Sequence, residues 1–221
     1  WCEYIAASPF ALATLPDEVS FEAAATLPVA GGTALHALRR GPQKGGRRVL
    51  VTGASGGVGV FAIQLAAAGG DEVTAAIRSP AHEALVTGLG ARCVTVGETL
   101  SVDAGKFDLI VDSVGGRTLG TALGLLAPGG ACVNLGSSEG ADVSFDLTKF
   151  RGAGGTSLHG LAMFYEIQHE PPTVMLTELA RRLAHGSLKP VIERRAPIAD
   201  IAEVAQALID RRFTGKAVLT F

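Results

Sequence analysis

The stretch that most constrains the fold runs Arg48-Val-Leu-Val-Thr-Gly-Ala-Ser-Gly-Gly-Val-Gly59 and continues Val60-Phe-Ala-Ile-Gln-Leu-Ala-Ala-Ala-Gly69. Val49 to Thr52 form a short, apolar, β-branched run, which predicts a strand covered on both faces. Glycines then crowd the turn, and Val58, Phe61, Ala62, Leu65 and Ala66 recur at helical spacing, so the turn opens a helix. A strand, a glycine turn and a helix form a corner where backbone N–H groups and the helix dipole face an anion. Read as Ala54-x-Gly56-x-x-Gly59, the turn is a dinucleotide fingerprint with alanine at the first glycine position. Gly56 lets a pyrophosphate approach the backbone, and Gly59 lets helix and strand pack closely.

The same letters allow other readings. Gly53-Ala54-Ser55-Gly56-Gly57 is also G-x-S-x-G, the turn that presents a nucleophilic serine in α/β-hydrolases. Thr52-Gly53-x-x-x-Gly57-x-Gly59 also matches the turn of short-chain dehydrogenases, and a tight turn without a ligand is the plainest alternative. A short-chain dehydrogenase needs Tyr-x-x-x-Lys, whereas Tyr4 and Tyr165 are followed four places on by Ser8 and His169. A hydrolase turn normally follows several strands and an oxyanion loop, and only helical or turn-like sequence separates residue 5 from Arg48. His159, His169 and His185 could still supply a base for Ser55, so that reading stays open.

The remaining chain repeats strand and helix. Ser20 is the expected N-cap of a short helix ended by Leu27-Pro28. A second helix follows from Gly31 and leads to a glycine-rich link at 41–46. Strands are expected at 49–52, 72–77, 93–96, 107–112 and 131–135, with a sixth at 157–164. Helices are expected at 81–89, 118–126, 173–185 and 200–210, and a closing strand at 216–221. Residues 1–8 read as a strand entered midway. Strands alternating with helices in this way imply an α/β, doubly wound parallel sheet.

Several function classes find no support. The net charge of −2 without a basic block predicts no nucleic-acid binding. No apolar run approaches spanning length and the start lacks a signal-like pattern, so a soluble, cytoplasmic protein without membrane contact is expected. With 221 residues, 48% hydrophobic and 18% charged, the chain can build a sizeable core. Cys2, Cys93 and Cys132 are widely spaced without a C-x-x-C pair and read as buried free thiols. The five histidines are scattered, so no metal site is visible.

Cofactor choice turns on the end of the second strand. In this fold, about twenty residues past the glycines, an acid accepts from the adenosine ribose of NAD. Here the strand ends Ala75-Ala-Ile-Arg78-Ser79, with no acid. Arg78 would pair with a 2′-phosphate and Ser79 could donate to it, which favours NADPH. The plain alternative is a solvated arginine. Ser113 and Val114 after the fourth strand, and Gly136 and Ser137 after the fifth, would line the crevice at the strands' carboxyl ends.

Taken together in this order, five stretches resemble the medium-chain dehydrogenase/reductase superfamily, in its zinc-free quinone oxidoreductase branch. They are Glu22-Ala-Ala-Ala-Thr-Leu-Pro-Val-Ala-Gly-Gly-Thr-Ala, Gly53-Ala-Ser-Gly-Gly-Val-Gly, Phe107-Asp-Leu-Ile-Val-Asp-Ser-Val-Gly-Gly, Leu126-Ala-Pro-Gly-Gly and Thr214-Gly-Lys-Ala-Val-Leu. The resemblance implies a Rossmann-type domain at 31–170. It also implies remnants of a GroES-like catalytic lobe at 1–30 and 171–221, most of that lobe being missing. It places Thr33 near a nicotinamide and Lys216 near the pyrophosphate, beside Ala54, Ser55, Gly56, Gly57, Val58 and Gly59. It lacks the cysteine that zinc-dependent relatives carry near 27–29, and Gly97 replaces an aromatic that often packs on the adenine. The implied reaction is hydride transfer from NADPH to a quinone or an α,β-unsaturated carbonyl, with no catalytic residue identified. The implied assembly is a homodimer joined through the edge strand from Ser157 to Phe164. An inactive nucleotide-binding module is the other reading that stays open.

Overall fold

The computed structural model describes residues 2–101 and 105–221. Its first half contains α1 (Phe21–Ala25), α2 (Gly32–Arg39), β1 (Arg48–Thr52), α3 (Gly59–Ala68), β2 (Glu72–Ile77), α4 (Glu83–Gly88), β3 (Cys93–Val96) and β4 (Phe107–Asp112). There follow α5 (Gly116–Leu123), β5 (Leu126–Asn134), α6 (Leu147–Gly152), β6 (Ser157–Gly160), α7 (Met163–His169), α8 (Pro172–Ala184), β7 (Ile192–Pro197), α9 (Ile201–Ile209) and β8 (Lys216–Thr220).

Six strands pair in parallel in the order β3-β2-β1-β4-β5-β6. Alternate residues of the central strands serve two cores, as a sheet covered on both faces requires. Val49, Val51, Leu109 and Val111 pack with Phe61 and Ile63 of α3 and with Leu179 of α8. Leu50 and Ile110 turn the other way, onto Leu119 and Leu123 of α5. The chain leaves β3 at one edge and returns beside β1 as β4, so strand order reverses between β1 and β4. In open α/β sheets such a reversal leaves a crevice at the carboxyl ends of the strands. β7 and β8 form a separate two-stranded parallel sheet.

The strands at 72–77, 93–96 and 107–112 form as the sequence predicts. Ser20 caps α1, its hydroxyl accepting from the Ala23 amide at 3.2 Å. Other expectations are corrected. Residues 2–8 form no strand, because no neighbouring strand pairs with them; Trp1 lies outside the described residues. Pro28 does not end the helical run. It sits in the first turn of a single π-helical turn, Leu27–Gly31, where its missing N–H is not needed, and that turn leads straight into α2. Leu126 belongs to β5 rather than to the preceding helix: it pairs with Phe107, and the ladder is irregular between Phe107 and Leu109. The strand expected at 157–164 stops at Gly160. The Leu161 amide still bonds the Asn134 carbonyl at 2.8 Å, but β5 ends there, and Met163 starts α7. Of the thiols only Cys132 is buried; Cys2 and Cys93 are exposed.

Candidate nucleotide-binding site

Gly53 turns the chain after β1 with φ 58°, a left-handed conformation suited to glycine. A Cβ there would lie 2.3 Å from Ser113 Oγ and 3.3 Å from Val114 Cγ2, so both residues pack directly against the turn. Gly59 starts α3 so close to the preceding strand that a Cβ would meet the Gly53 and Ala54 carbonyl oxygens at 2.5 and 2.6 Å. Ala54 is fully buried, and its amide bonds the Ala76 carbonyl of β2 at 3.2 Å. Val58 stands at the N-cap of α3 without a side-chain cap. The parallel bridge between Gly56 and Gly215 turns the Gly57 N–H toward the Gly215 carbonyl, and among the described residues no acceptor takes the N–H groups of Val58 or Gly59. These are the donors a helix start offers an anion.

The C-terminal chain lies across this turn. The Gly215 amide donates to the Ser55 carbonyl at 3.2 Å. Lys216 then runs over Gly57, where a Cβ would be 3.0 Å from its Cδ and 3.8 Å from its Nζ. Burial holds the Lys216 ammonium below the usual lysine pKa, and among the described residues no carboxylate pairs with it.

At the end of β2, Arg78 is exposed and likewise has no carboxylate partner among the described residues. Ser79 caps the short turn that follows, its Oγ accepting from the Ala81 amide at 3.3 Å. Asp71 and Glu72 lie at the opposite end of the strand, engaged by Arg47 and Arg92. Gly97 follows β3 with φ 149°, and its amide bonds the Ile77 carbonyl at 3.0 Å.

The turns after β4 and β5 are wired to each other. Asp112 is fully buried. Its Oδ1 accepts from Thr52 Oγ1 at 2.6 Å, and its Oδ2 accepts from the Gly115 amide at 3.0 Å and Asn134 Nδ2 at 2.8 Å. Asn134 Nδ2 also donates to the Gly136 carbonyl at 2.8 Å. The Ser113 amide donates to Thr52 Oγ1 at 3.2 Å, and the Ser113 hydroxyl to the Thr52 carbonyl at 3.0 Å. A Cβ on Gly136 would stand 2.8 Å from the Ser113 carbonyl oxygen, so the two turns touch. Ser137 is exposed on this rim, and Arg211 donates to the adjacent Ser138 carbonyl. Burial and the neighbouring Asp112 charge push the Cys132 thiol up, away from thiolate chemistry.

Ser113, Val114, Gly136, Lys216 and the glycine turn therefore converge at the β1/β4 reversal, with Arg78 and Ser79 one strand away. Thr33 is buried in the first turn of α2, a helix packed on α3, and no hydrogen bond of its side chain ties it to the turn. Sequence reasoning missed Thr52, Asp112 and Asn134. The available signal was position, since each is a polar residue that closes an apolar run at the carboxyl end of its strand.

The three histidines weighed as a base for Ser55 are bonded elsewhere. His159 bonds Ser157 at 3.0 Å, His169 the Tyr165 carbonyl at 2.9 Å and His185 the Arg181 carbonyl at 2.7 Å, and none of them bonds Ser55. Among the described residues no group of three His, Cys, Asp or Glu side chains could hold a metal ion, and no helix is long and apolar enough to cross a membrane.

Strand order, glycine turn and converging loops define a doubly wound, dinucleotide-type α/β domain. The profile of the zinc-binding dehydrogenase family matches residues 89–219. The chain is 34% identical over 212 residues to an acryloyl-coenzyme A reductase of Metallosphaera sedula, covering 95% of this chain and 61% of that protein. It is 30% identical over 224 residues to a quinone oxidoreductase of Pseudomonas aeruginosa, covering 94% and 67%. A solved mycobacterial structure complexed with NADPH superposes with a TM-score of 0.83 at 26% identity, covering 94% of this chain and 67% of that one. The chain belongs to the zinc-binding dehydrogenase family of the medium-chain dehydrogenase/reductase superfamily. The family's name implies zinc, but the described residues offer it no ligand set.

Proposed function

We propose that this chain binds NADPH and serves a zinc-independent reduction of a quinone or an α,β-unsaturated carbonyl. The observation that carries the reading is a pair of cations, Lys216 and Arg78, that have no carboxylate partner among the described residues and flank a helix start whose Val58 and Gly59 amides are free. Val58 and Gly59 would hold the pyrophosphate through their N–H groups, beside Gly56 and Gly57, and Lys216 would neutralise it. Arg78 would take the 2′-phosphate and Ser79, whose oxygen is already an acceptor, would donate its hydroxyl hydrogen. Ser113, Val114, Gly136 and Ser137 would shape the other half of the crevice, with Thr33 behind it.

Bound there, NADPH supplies a hydride from its nicotinamide. The chain's own residues orient and desolvate that ligand, and a polarising acid for the acceptor is not among those identified. The NADPH complex of the mycobacterial neighbour and the quinone oxidoreductase relative support this reading. The acryloyl-coenzyme A reductase relative supports an activated enone as readily as a quinone. The chain spans 61% of that relative, so the activity is proposed for the whole protein rather than for this segment.

The test is fluorescence titration of NADPH and NADH against the wild type and Arg78→Asp. Losing a charge-assisted contact of about 1.5–3 kcal/mol should weaken NADPH roughly 10- to 150-fold and leave NADH unchanged. Equal weakening of both nucleotides would remove Arg78 from the 2′-phosphate. No strand among the described residues pairs with the outer edge of β6, and we also infer that two copies join sheets there, which sedimentation of the protein would test.

A further inference from the structure

Three adjacent strands of the sheet, β1, β4 and β5, end in Thr52, Asp112 and Asn134, and Asp112 binds both of the others. Its carboxylate reaches the glycine turn and the loops after β4 and β5. Through Thr52 it is joined to the residue that opens the glycine turn. Through the Gly115 amide it fixes the Ser113–Val114 turn, where Gly115 takes φ 73°. Through Asn134, which also holds the Gly136 carbonyl, it fixes the Gly136–Ser137 turn. No cation pairs with Asp112 among the described residues, and its acceptors are occupied by these three donors.

We propose that Asp112 is a positioning residue for the nicotinamide half of the nucleotide site, a role that rests on the NADPH reading above. Doubly wound sheets place one mononucleotide over each half of the sheet. Arg78 and Ser79 end β2 in the adenosine half, whereas the two loops that Asp112 fixes end β4 and β5 in the other half. Asp112→Asn keeps size and shape but replaces one acceptor oxygen with a donor NH2, which must then face the Thr52 hydroxyl or the Gly115 and Asn134 N–H groups. One or both loops should lose register while the end of β2 is untouched.

The experiment is calorimetric titration of NADPH and of adenosine 2′,5′-bisphosphate, which carries only the adenosine half, into the wild type, Asp112→Asn and Asn134→Ala. Asp112→Asn should weaken NADPH about tenfold or more while the bisphosphate stays within about twofold, since the lost contacts are hydrogen bonds to a charged group. Asn134→Ala cuts only the arm to Gly136 and should show the same selectivity with a smaller loss. It carries the test alone if Asp112→Asn does not fold. Equal weakening of both ligands, or unchanged NADPH binding in Asn134→Ala, overturns the proposal. A wild type that binds neither ligand overturns the nucleotide reading instead.

Discussion

The two ends of the sheet treat charge in opposite ways. At the amino ends of the strands, cations are matched. Arg47 meets Asp71 at 2.6 Å, Lys44 meets Asp108 at 2.8 Å and Arg92 meets Glu72 at 2.8 Å. Arg48 lies over the Phe107 ring at 5.4 Å, and its amide takes the second oxygen of Asp108. At the carboxyl ends, Lys216 and Arg78 have no such partners among the described residues; of the acids there, Asp112 is buried and bonded to neutral groups, and Glu139 takes Arg117 at 3.3 Å and the Thr118 amide at 2.9 Å. The amino end has the charge arrangement of a structure optimised for itself. The carboxyl end keeps positive charge in surplus, as a surface that completes its electrostatics with an anionic ligand must.

At the amino end the cation with most to lose is Arg47. Its guanidinium holds Asp71 through Nε and Nη2 and donates from Nη1 to the Leu38 carbonyl at 2.8 Å, joining α2, β1 and the turn before β2. The pair is well shielded, with side-chain exposures of 13% and 3%. Arg47→Ala would leave the Asp71 carboxylate buried and uncompensated, a loss of about 3–5 kcal/mol of folding stability. Urea denaturation should show that loss, while NADPH affinity below the transition stays at the wild-type value. A variant that folds normally but binds NADPH poorly would mean that the two ends are coupled.

The same contrast explains what could be read from the chain. Val49 to Thr52, Glu72–Ile77 and Phe107–Asp112 are apolar runs bounded by charge or glycine, so their strands follow from local pattern. The glycine turn is equally local: Gly59 is required by two carbonyls only five and six residues away. Asp112 was not legible as the hub, because its bond to Thr52 spans 60 residues and depends on strand order. The same holds for β7, whose Ile192-Glu-Arg-Arg-Ala-Pro sequence carries three charges and becomes a strand only because β8 pairs with it. The apolar run from Leu161 to Phe164 suits a strand or a helix, and the end of β5 decides between them. Local chemistry showed where an anion could bind; long-range pairing determines how the crevice around it is held.

A smaller effect sharpens the carboxyl-end side. Lys216→Met keeps the stem over Gly57 and removes the charge, so NADPH and NADH should both weaken by about 1 kcal/mol, roughly fivefold, in contrast to the selective loss in Arg78→Asp. Stability should move the other way. The folded pKa of Lys216 lies below its unfolded value because burial disfavours the cation. Between those two values the unfolded chain binds more protons, so wild-type stability rises with pH there. Lys216→Met should lose that alkaline rise and be the more stable apo-protein at neutral pH. Thermal melts of both proteins from neutral to alkaline pH would measure it, and nucleotide affinity should fall in the wild type as the ammonium is lost. Parallel melting profiles would show that the lysine is not held against its solvation.

The smallest expected effect belongs to Asp108, the acid shared by Lys44 and the Arg48 amide. Burial pushes its carboxyl up, but the Lys44 hydrogen bond, the Arg48 amide and the charges of both residues outweigh it and hold the pKa below the ordinary 3.8. A depressed folded pKa means that the contribution is complete above the unfolded value and is lost as pH falls through the folded one. Lys44 is 54% exposed, so solvent screens the pair and Asp108→Asn should cost less than about 1 kcal/mol at neutral pH. Stability of the two proteins, compared by denaturation from neutral pH down to below 4, should converge at the acid end, where the wild-type carboxyl is itself protonated. Added salt should narrow the neutral gap, because an exposed pair is screened. A gap that persists undiminished in acid would mean that Asp108 acts through the geometry of its bond to the Arg48 amide, which an asparagine oxygen can only partly reproduce, and not through its charge.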